Sequence, residues 1–203
     1  MRNALWATVA IAACAPFGLP NATASARPCV VLTDPAGDVQ AGDAAQTATL
    51  PDDHLDVRSI TVEPVRNGLQ FVVTDTALNA QRYGAWSLTF RSGRTDLYVS
   101  ASVGEWVNVG DGGAASGFKA GIAGKRLTPV SGVFDYANSR IVVVVPRKAF
   151  GTALPARGGS LTGFAVTARE TFADLAPNGV DLGTVDLIDR GSSTAKYALG
   201  ATC

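Results

Sequence analysis

Apolar and polar residues alternate along this chain in short runs, and almost nowhere do they repeat at helical spacing. Leu69, Phe71 and Val73 share one side of a run, as do Trp86, Leu88 and Phe90, and then Leu97, Val99, Ala101 and Val103. A period of two is that of a strand with one face buried. Turn-forming residues divide the runs: Arg66-Asn67-Gly68 separates 55–65 from 69–74, where Asn-Gly marks a hairpin, and Arg91-Ser92-Gly93-Arg94 makes the next turn. Tyr136-Ala137-Asn138-Ser139 divides 130–135 from 140–145 in the same way. Further strands are predicted at 30–32, 106–109, 117–122, 164–168 and 197–199. Residues 141–145 are all apolar and mostly β-branched, which predicts a central strand covered on both faces.

Pro146 to Phe150 reads as one short helix, with proline in its first turn and Gly151 after it. The stretch 171–193 is rich in turn formers and reads as a long loop. Together these elements predict an all-β fold, an antiparallel jelly-roll-like β-sandwich of about nine or ten strands with at most one short helix. A closed barrel is the alternative, and uneven strand lengths argue against it.

At 203 residues one domain is the expectation. Lys plus Arg equals Asp plus Glu at 17 each, so no basic stripe exists for sequence-independent binding of nucleic acid. Arg2 followed by an uncharged, mostly apolar run at 4–15 is too short to span a bilayer, which takes about 20 residues. With Ala24-Ser25-Ala26 before Arg27, the segment reads as a secretory signal peptide at 1–26, leaving a single domain at 27–203. Ile11-Ala12-Ala13-Cys14 offers a competing lipobox, in which Cys14 would carry lipid. Asn21-Ala22-Thr23 lies in this leader and says nothing of the mature surface. Export leaves Cys29 and Cys203, one at each end of the mature chain. In an oxidising compartment they are expected to pair, which requires the first and last strands to be neighbours.

The candidate chemistry is acidic. Asp34-Pro35-Ala36-Gly37-Asp38, Asp43 and Asp52-Asp53-His54-Leu55-Asp56 hold six of fourteen aspartates, and no Lys or Arg lies between Asp34 and Asp56. Like charges this dense either face water or share a cation, and hard oxygen ligands on loops suit calcium. Gly37 is placed to turn the chain with a positive φ. The spacing is not that of an EF-hand.

Asp-Pro-x-Gly-Asp after the first strand, with His54-Leu55-Asp56-Val57 leading into a strand-turn-strand hairpin, resembles the calcium-holding start of DOMON-like domains and family-9 carbohydrate-binding modules. The match covers about the first 50 positions of the mature chain; beyond them only the β pattern agrees. The resemblance implies a secreted bacterial jelly roll with Asp34, Asp38 and Asp56 as metal ligands. It assigns nothing to Asp43, Asp52 or Asp53, which read as solvated loop charges. Haem-binding DOMON members use methionine and histidine as axial ligands, and Met1, the one methionine, leaves with the leader.

Other chemistry finds few residues. His54, the sole histidine, reads as exposed, and neither Gly-x-Ser-x-Gly nor His-Glu-x-x-His occurs. Glu63, Glu105 and Glu170 are the only glutamates, with Glu63 and Glu170 read as solvent-facing strand charges, so paired-carboxylate glycosidase chemistry is disfavoured. Trp86 reads as core. Trp106 and Tyr98 are the aromatic residues on polar faces that would stack on a sugar ring. Asp174, Asp181, Asp186 and Asp189 fall in the expected late loop and read as solvated charges, with a second ion site as the alternative. The sequence therefore predicts an exported, non-enzymatic, calcium-stabilised binding or structural protein of the cell envelope or medium, with carbohydrate or an envelope component as partner; a secreted hydrolase or hydrolase inhibitor is the rival.

Overall fold

The computed structural model describes residues 28–41, 54–80, 84–103, 117–175, 181–201 and 203. The leader with Cys14, the acids Asp43, Asp52 and Asp53, and Glu105, Trp106 and the strand expected at 106–109 lie outside the described residues. Twelve strands, numbered in chain order, form two antiparallel sheets among them. One has the order β1 (Cys29–Thr33), β3 (Val57–Val65), β4 (Gly68–Asp75), β10 (Arg140–Pro146), β9 (Ser131–Asp135). The other runs β2 (Gln40–Ala41), β12 (Asp181–Ala198), β11 (Ser160–Leu175), β5 (Gly84–Ser92), β6 (Thr95–Val103), β7 (Gly117–Ile122), β8 (Thr128–Pro129). The fold is thus the all-β sandwich expected. β2 and β8 have two residues each, and the other ten are longer.

Each hairpin follows its pattern. Asn67-Gly68 joins β3 to β4, with Val65 opposite Gly68; a Cβ at Gly68 would lie 2.0 Å from the Val145 carbonyl oxygen, so only glycine fits. The one short helix, α1 (Arg147–Phe150), starts after Pro146 and ends at Gly151 with φ 55°. It drops Phe150 into the core, edge-on to Phe90 at 5.7 Å between ring centres. Phe90 also meets Phe71 at 5.2 Å and Phe164 at 5.6 Å, so aromatic rings from both sheets meet at the centre. Trp86 is buried as expected, tilted against Phe134. Among the described residues no helix is long and apolar enough to cross a membrane.

Two expectations are corrected. Within the stretch 171–193 expected as a loop, 171–175 belong to β11 and 181–193 to β12, strands of 16 and 18 residues; 176–180 lie outside the described residues. Ladder pairing with neighbours overrides turn propensity there, with β11 held between β12 and β5. β10 is paired on both sides but lies next to the sheet edge, and only Ile141, Val143 and Val145 are fully buried. Val142 and Val144 are half-buried on the outer face, where Val72 and Val133 flank Val142 in register.

β1 and β12 come together across one side of the sandwich, and Cys29 and Cys203 are bonded there with Cα atoms 5.2 Å apart. The bridge spans 174 positions of sequence, so it constrains the unfolded chain strongly. Replacing both cysteines by serine is expected to lower stability by about 3 to 5 kcal/mol in chemical denaturation; an unchanged midpoint would show that the seam holds without it.

Candidate metal centre

At one end of the sandwich, strand alternation turns carboxylates inward. The inward row of β4 reads Leu69, Phe71, Val73 and then Asp75, and on β12 Leu187 is followed on the same side by Asp189 and Gly191. β1 ends at Thr33, the chain passes Asp34, and Gly37 at φ 75° turns it back so that Asp38 returns toward the same point. Asp34, Asp38 and Asp189 each offer a carboxylate oxygen within 4.8 Å of the others. Ligands on opposite sides of calcium, each at about 2.4 Å, stand about 4.8 Å apart, so the spacing suits one ion.

The surroundings are built for this trio. A Cβ at Gly191 would lie 2.9 Å from Asp34 Cγ, so glycine there leaves the carboxylate its space. Asp189 Oδ2 accepts the Val57 N–H at 2.8 Å, which fixes the side chain, while its Oδ1 is buried with no hydrogen-bond partner. Asp34 Oδ2 and Asp38 Oδ1 are likewise buried without partners. Buried acceptors are normally satisfied, and each member of this trio, which could hold a cation, keeps one buried oxygen without a partner.

The expected ligand Asp56 lies beside the trio and has a different task. Only 1% exposed, it accepts at Oδ2 from the Gly37 N–H at 3.2 Å and the Thr76 hydroxyl at 2.5 Å. Its backbone carbonyl accepts the Thr76 N–H at 2.9 Å, so Asp56 ties the turn after β1 to the end of β4. Arg58 Nη1 stands 3.9 Å from Asp56 Oδ2 and, among the described residues, is the cation paired with the cluster. Its other oxygen, Oδ1, is buried and unpartnered. Asp189 takes the third place in the trio: pairing of β12 with β11 and β2 carries it to Asp34, a juxtaposition that local sequence cannot show. It is 1% exposed, which corrects its reading as a solvated charge; the strands through Asp174, Asp181 and Asp186 are described, their side chains not.

Electrostatics agree. Burial, with Asp189, Asp38 and Asp56 close by, lifts Asp34 from 3.8 to about 6 against the pull of Arg58. Burial also raises Asp189, opposed by the Val57 N–H. Asp75, 3% exposed, is pushed to about 8, mainly by burial and then by Asp189 and Asp56. The Trp86 indole N–H pulls the other way, although it does not reach hydrogen-bond geometry. Asp75 had no place in the sequence reading, yet the alternation of β4 continued by one step puts it on the buried side.

Other expected positions resolve differently. His54 is buried: Nδ1 accepts the Asn79 N–H at 3.1 Å and the ring stands edge-on to Trp86 at 5.6 Å. Glu170 faces inward on β11 and is buried, because it continues the row Phe164, Val166, Ala168. Glu63 is half-buried and accepts from the Gln70 amide. Tyr98 lies on the outer face of β6, its hydroxyl 2.6 Å from Ser87 Oγ. Opposite Tyr98 in the ladder is Thr89, which lines an open groove of about 840 Å³ together with Thr33, Ser192, Ser193 and Thr194. Arg91 and Asp96, paired at 3.0 Å, are its only charges.

The raised carboxyls set a sign for pH dependence. A folded state that holds protons more tightly than the unfolded chain loses stability as pH rises through the interval between the two pKa values. Without metal, the thermal midpoint is therefore expected to fall from about pH 4 to about pH 8, and Asp75→Asn is expected to flatten the upper part. Midpoints in EDTA at four pH values check this; a rising midpoint contradicts it. In comparison with known proteins, the chain matches no family model, no curated protein and no solved structure.

Proposed function

We propose that the chain is an exported, non-enzymatic β-sandwich stabilised by calcium, which serves as a binding or structural protein of the cell envelope or medium. The observation that carries the calcium reading is the trio Asp34, Asp38 and Asp189, drawn from both sheets, with buried oxygens that have no protein partner. Asp34 follows β1 and Asp189 lies in β12, so an ion there fastens one sheet to the other. The ligands are all hard carboxylate oxygens, a set that suits calcium better than zinc or copper. Export is supported by the leader pattern and the paired cysteines. Membership of the DOMON-like or family-9 group rests on the residues around Asp34 to Val57 alone.

The ligand surface in this reading is the groove on the outer face of the larger sheet. Its hydroxyls, and a lone ion pair already satisfied internally, fit a neutral polyhydroxylated ligand such as a carbohydrate. Glycoside hydrolysis needs two carboxyl groups flanking the bond, and among the described residues the groove offers one, Asp96, held by Arg91. That favours binding over catalysis.

Two measurements test the proposal. Millimolar calcium is expected to raise the midpoint of the EDTA-treated protein, by about 2.7 kcal/mol of stability at a hundredfold excess over Kd. Asp38→Ala is expected to abolish the shift and Gly191→Ala to weaken it by crowding Asp34; a shift equal in all three proteins removes the site. For the groove, retention on insoluble cellulose, chitin or mannan is expected for the native chain and lost in Thr89→Trp, which fills the groove from an outward position. Retention on none of the three refutes the carbohydrate reading and leaves the calcium one standing.

A further inference from the structure

We propose that the outer face of the five-stranded sheet is the surface on which two copies of this chain associate, related by a twofold axis over Val72. The face carries a row of β-branched side chains that crosses all five strands in register: Val30 on β1, Thr61 on β3, Val72 on β4, Val142 on β10 and Val133 on β9. Among the described residues the large hydrophobic side chains exposed to water are the two ends of that row, Val30 at 58% and Val133 at 54%. Edge strands of a soluble sheet ordinarily carry charge on their open sides. Valines at both edges, joined by an unbroken β-branched row, mark a contact surface instead.

The charges on this face select a second copy as the occupant. Arg140 and Glu63 each lie one strand and two residues from Val72, in opposite directions: Arg140 stands opposite Thr74 on the β10 side, and Glu63 opposite Gln70 on the β3 side. With strands about 4.8 Å apart and two residues spanning about 6.7 Å, each is about 8 Å from Val72 and the two are about 16 Å from one another, too far to pair within one copy. Arg140 is exposed, and the carboxylate of Asp135, its neighbour across the ladder, accepts from Asn138 instead. Consider a half turn about an axis in the interface that passes over Val72, perpendicular to the line from Arg140 to Glu63. It brings Arg140 of each copy over Glu63 of the other and closes as a dimer. The same turn sets Val133 over Val144 of the other copy, and the strands cross steeply, as in orthogonal sheet packing. Two ion pairs then flank an apolar centre. Equal numbers of basic and acidic residues, 17 each, leave no net repulsion against approach.

The size of the face sets the strength. Five strands about 4.8 Å apart, over the seven residues of β10, cover about 24 by 23 Å, or about 550 Å² on each copy. A total of about 1,100 Å² just passes the roughly 1,000 Å² of a specific interface and falls short of an obligate dimer, so the association is reversible, in the micromolar range.

Sedimentation equilibrium of the disulfide-bonded protein, from about 1 μM to about 500 μM, measures it. A monomer–dimer equilibrium is expected, with Kd raised at least about tenfold by Val133→Asp, by Arg140→Glu and by Glu63→Arg, since symmetry counts each change twice. Arg140→Glu and Glu63→Arg combined are expected to return Kd to within about threefold of native, because the reversed charges meet across the axis. A native chain that stays monomeric throughout overturns the proposal and leaves the calcium and groove readings as they stand. A dimer indifferent to Val133→Asp and to both reversals also overturns it, as does a combined variant no tighter than the single ones. If Glu63→Arg does not fold, Val133→Asp and Arg140→Glu, both at exposed positions, decide.

Discussion

One constraint governs this sandwich: among the described residues five carboxylates are drawn to one end of it, with Arg58 the arginine that opposes them. Two unit charges 4 Å apart repel by about 4 kcal/mol at an effective dielectric constant of 20, so several such pairs outweigh many ordinary contacts. Protons or cations must relieve that repulsion for Asp56, Asp75 and Asp189 to stay where strand alternation puts them. The raised values of Asp34 and Asp75 are the proton-bound solution, and the unpartnered oxygens are the opening for the cation-bound one. The two compete for the same oxygens, which links pH and metal at this site.

The location of the cluster follows from the weakest part of the architecture. β1 is an edge strand that pairs only with β3, and its other side faces β12 of the second sheet without a ladder. Cys29 at its start is bonded to Cys203, and Asp34 just past its end meets Asp189 of β12. A covalent tie therefore holds the start of a single five-residue strand, and in the proposed reading a cation shared by Asp34 and Asp189 would hold its end. The disulfide compensates for missing ladder bonds on that side.

The parts of this structure that could be read in the sequence are those written in local spacing. Short apolar runs and period-two alternation revealed nine strands, β1, β3 to β7, β9, β10 and the middle of β11, Asn67-Gly68 revealed the first hairpin, and Gly37 revealed the turn that brings Asp38 back toward Asp34. Asp189 was out of reach, because its partnership with Asp34 depends on which strands pair, and no spacing encodes that. Residues 171–175 and 181–193 were misread for a related reason: their glycines, serines and aspartates favour turns, and only the ladder between β11 and β12, with β2 beside Leu187 and Ile188, makes them strand. Asp75 and Glu170 were within reach. Both continue an apolar row by one step, and a carboxylate in that register breaks the polar-outside rule where a ligand or a buried pair belongs.

The groove and the acidic cluster share chain. Thr33, in the groove wall, immediately precedes Asp34, and Ser192 and Ser193 follow Asp189 and Gly191 on β12. An ion that holds Asp34 against Gly191 thereby sets the position of Thr33 relative to Ser192. The loss of freedom is then met by the ion and not by a ligand entering the groove, and pre-organisation of that kind strengthens binding without any new contact. In the proposed reading reciprocity would follow from thermodynamic linkage: a molecule that bridged Thr33 and Ser192 would tighten the seat for the cation by the same factor. The carboxylates that strain this end of the fold are thus also the means by which a metal ion can shape the surface beside it.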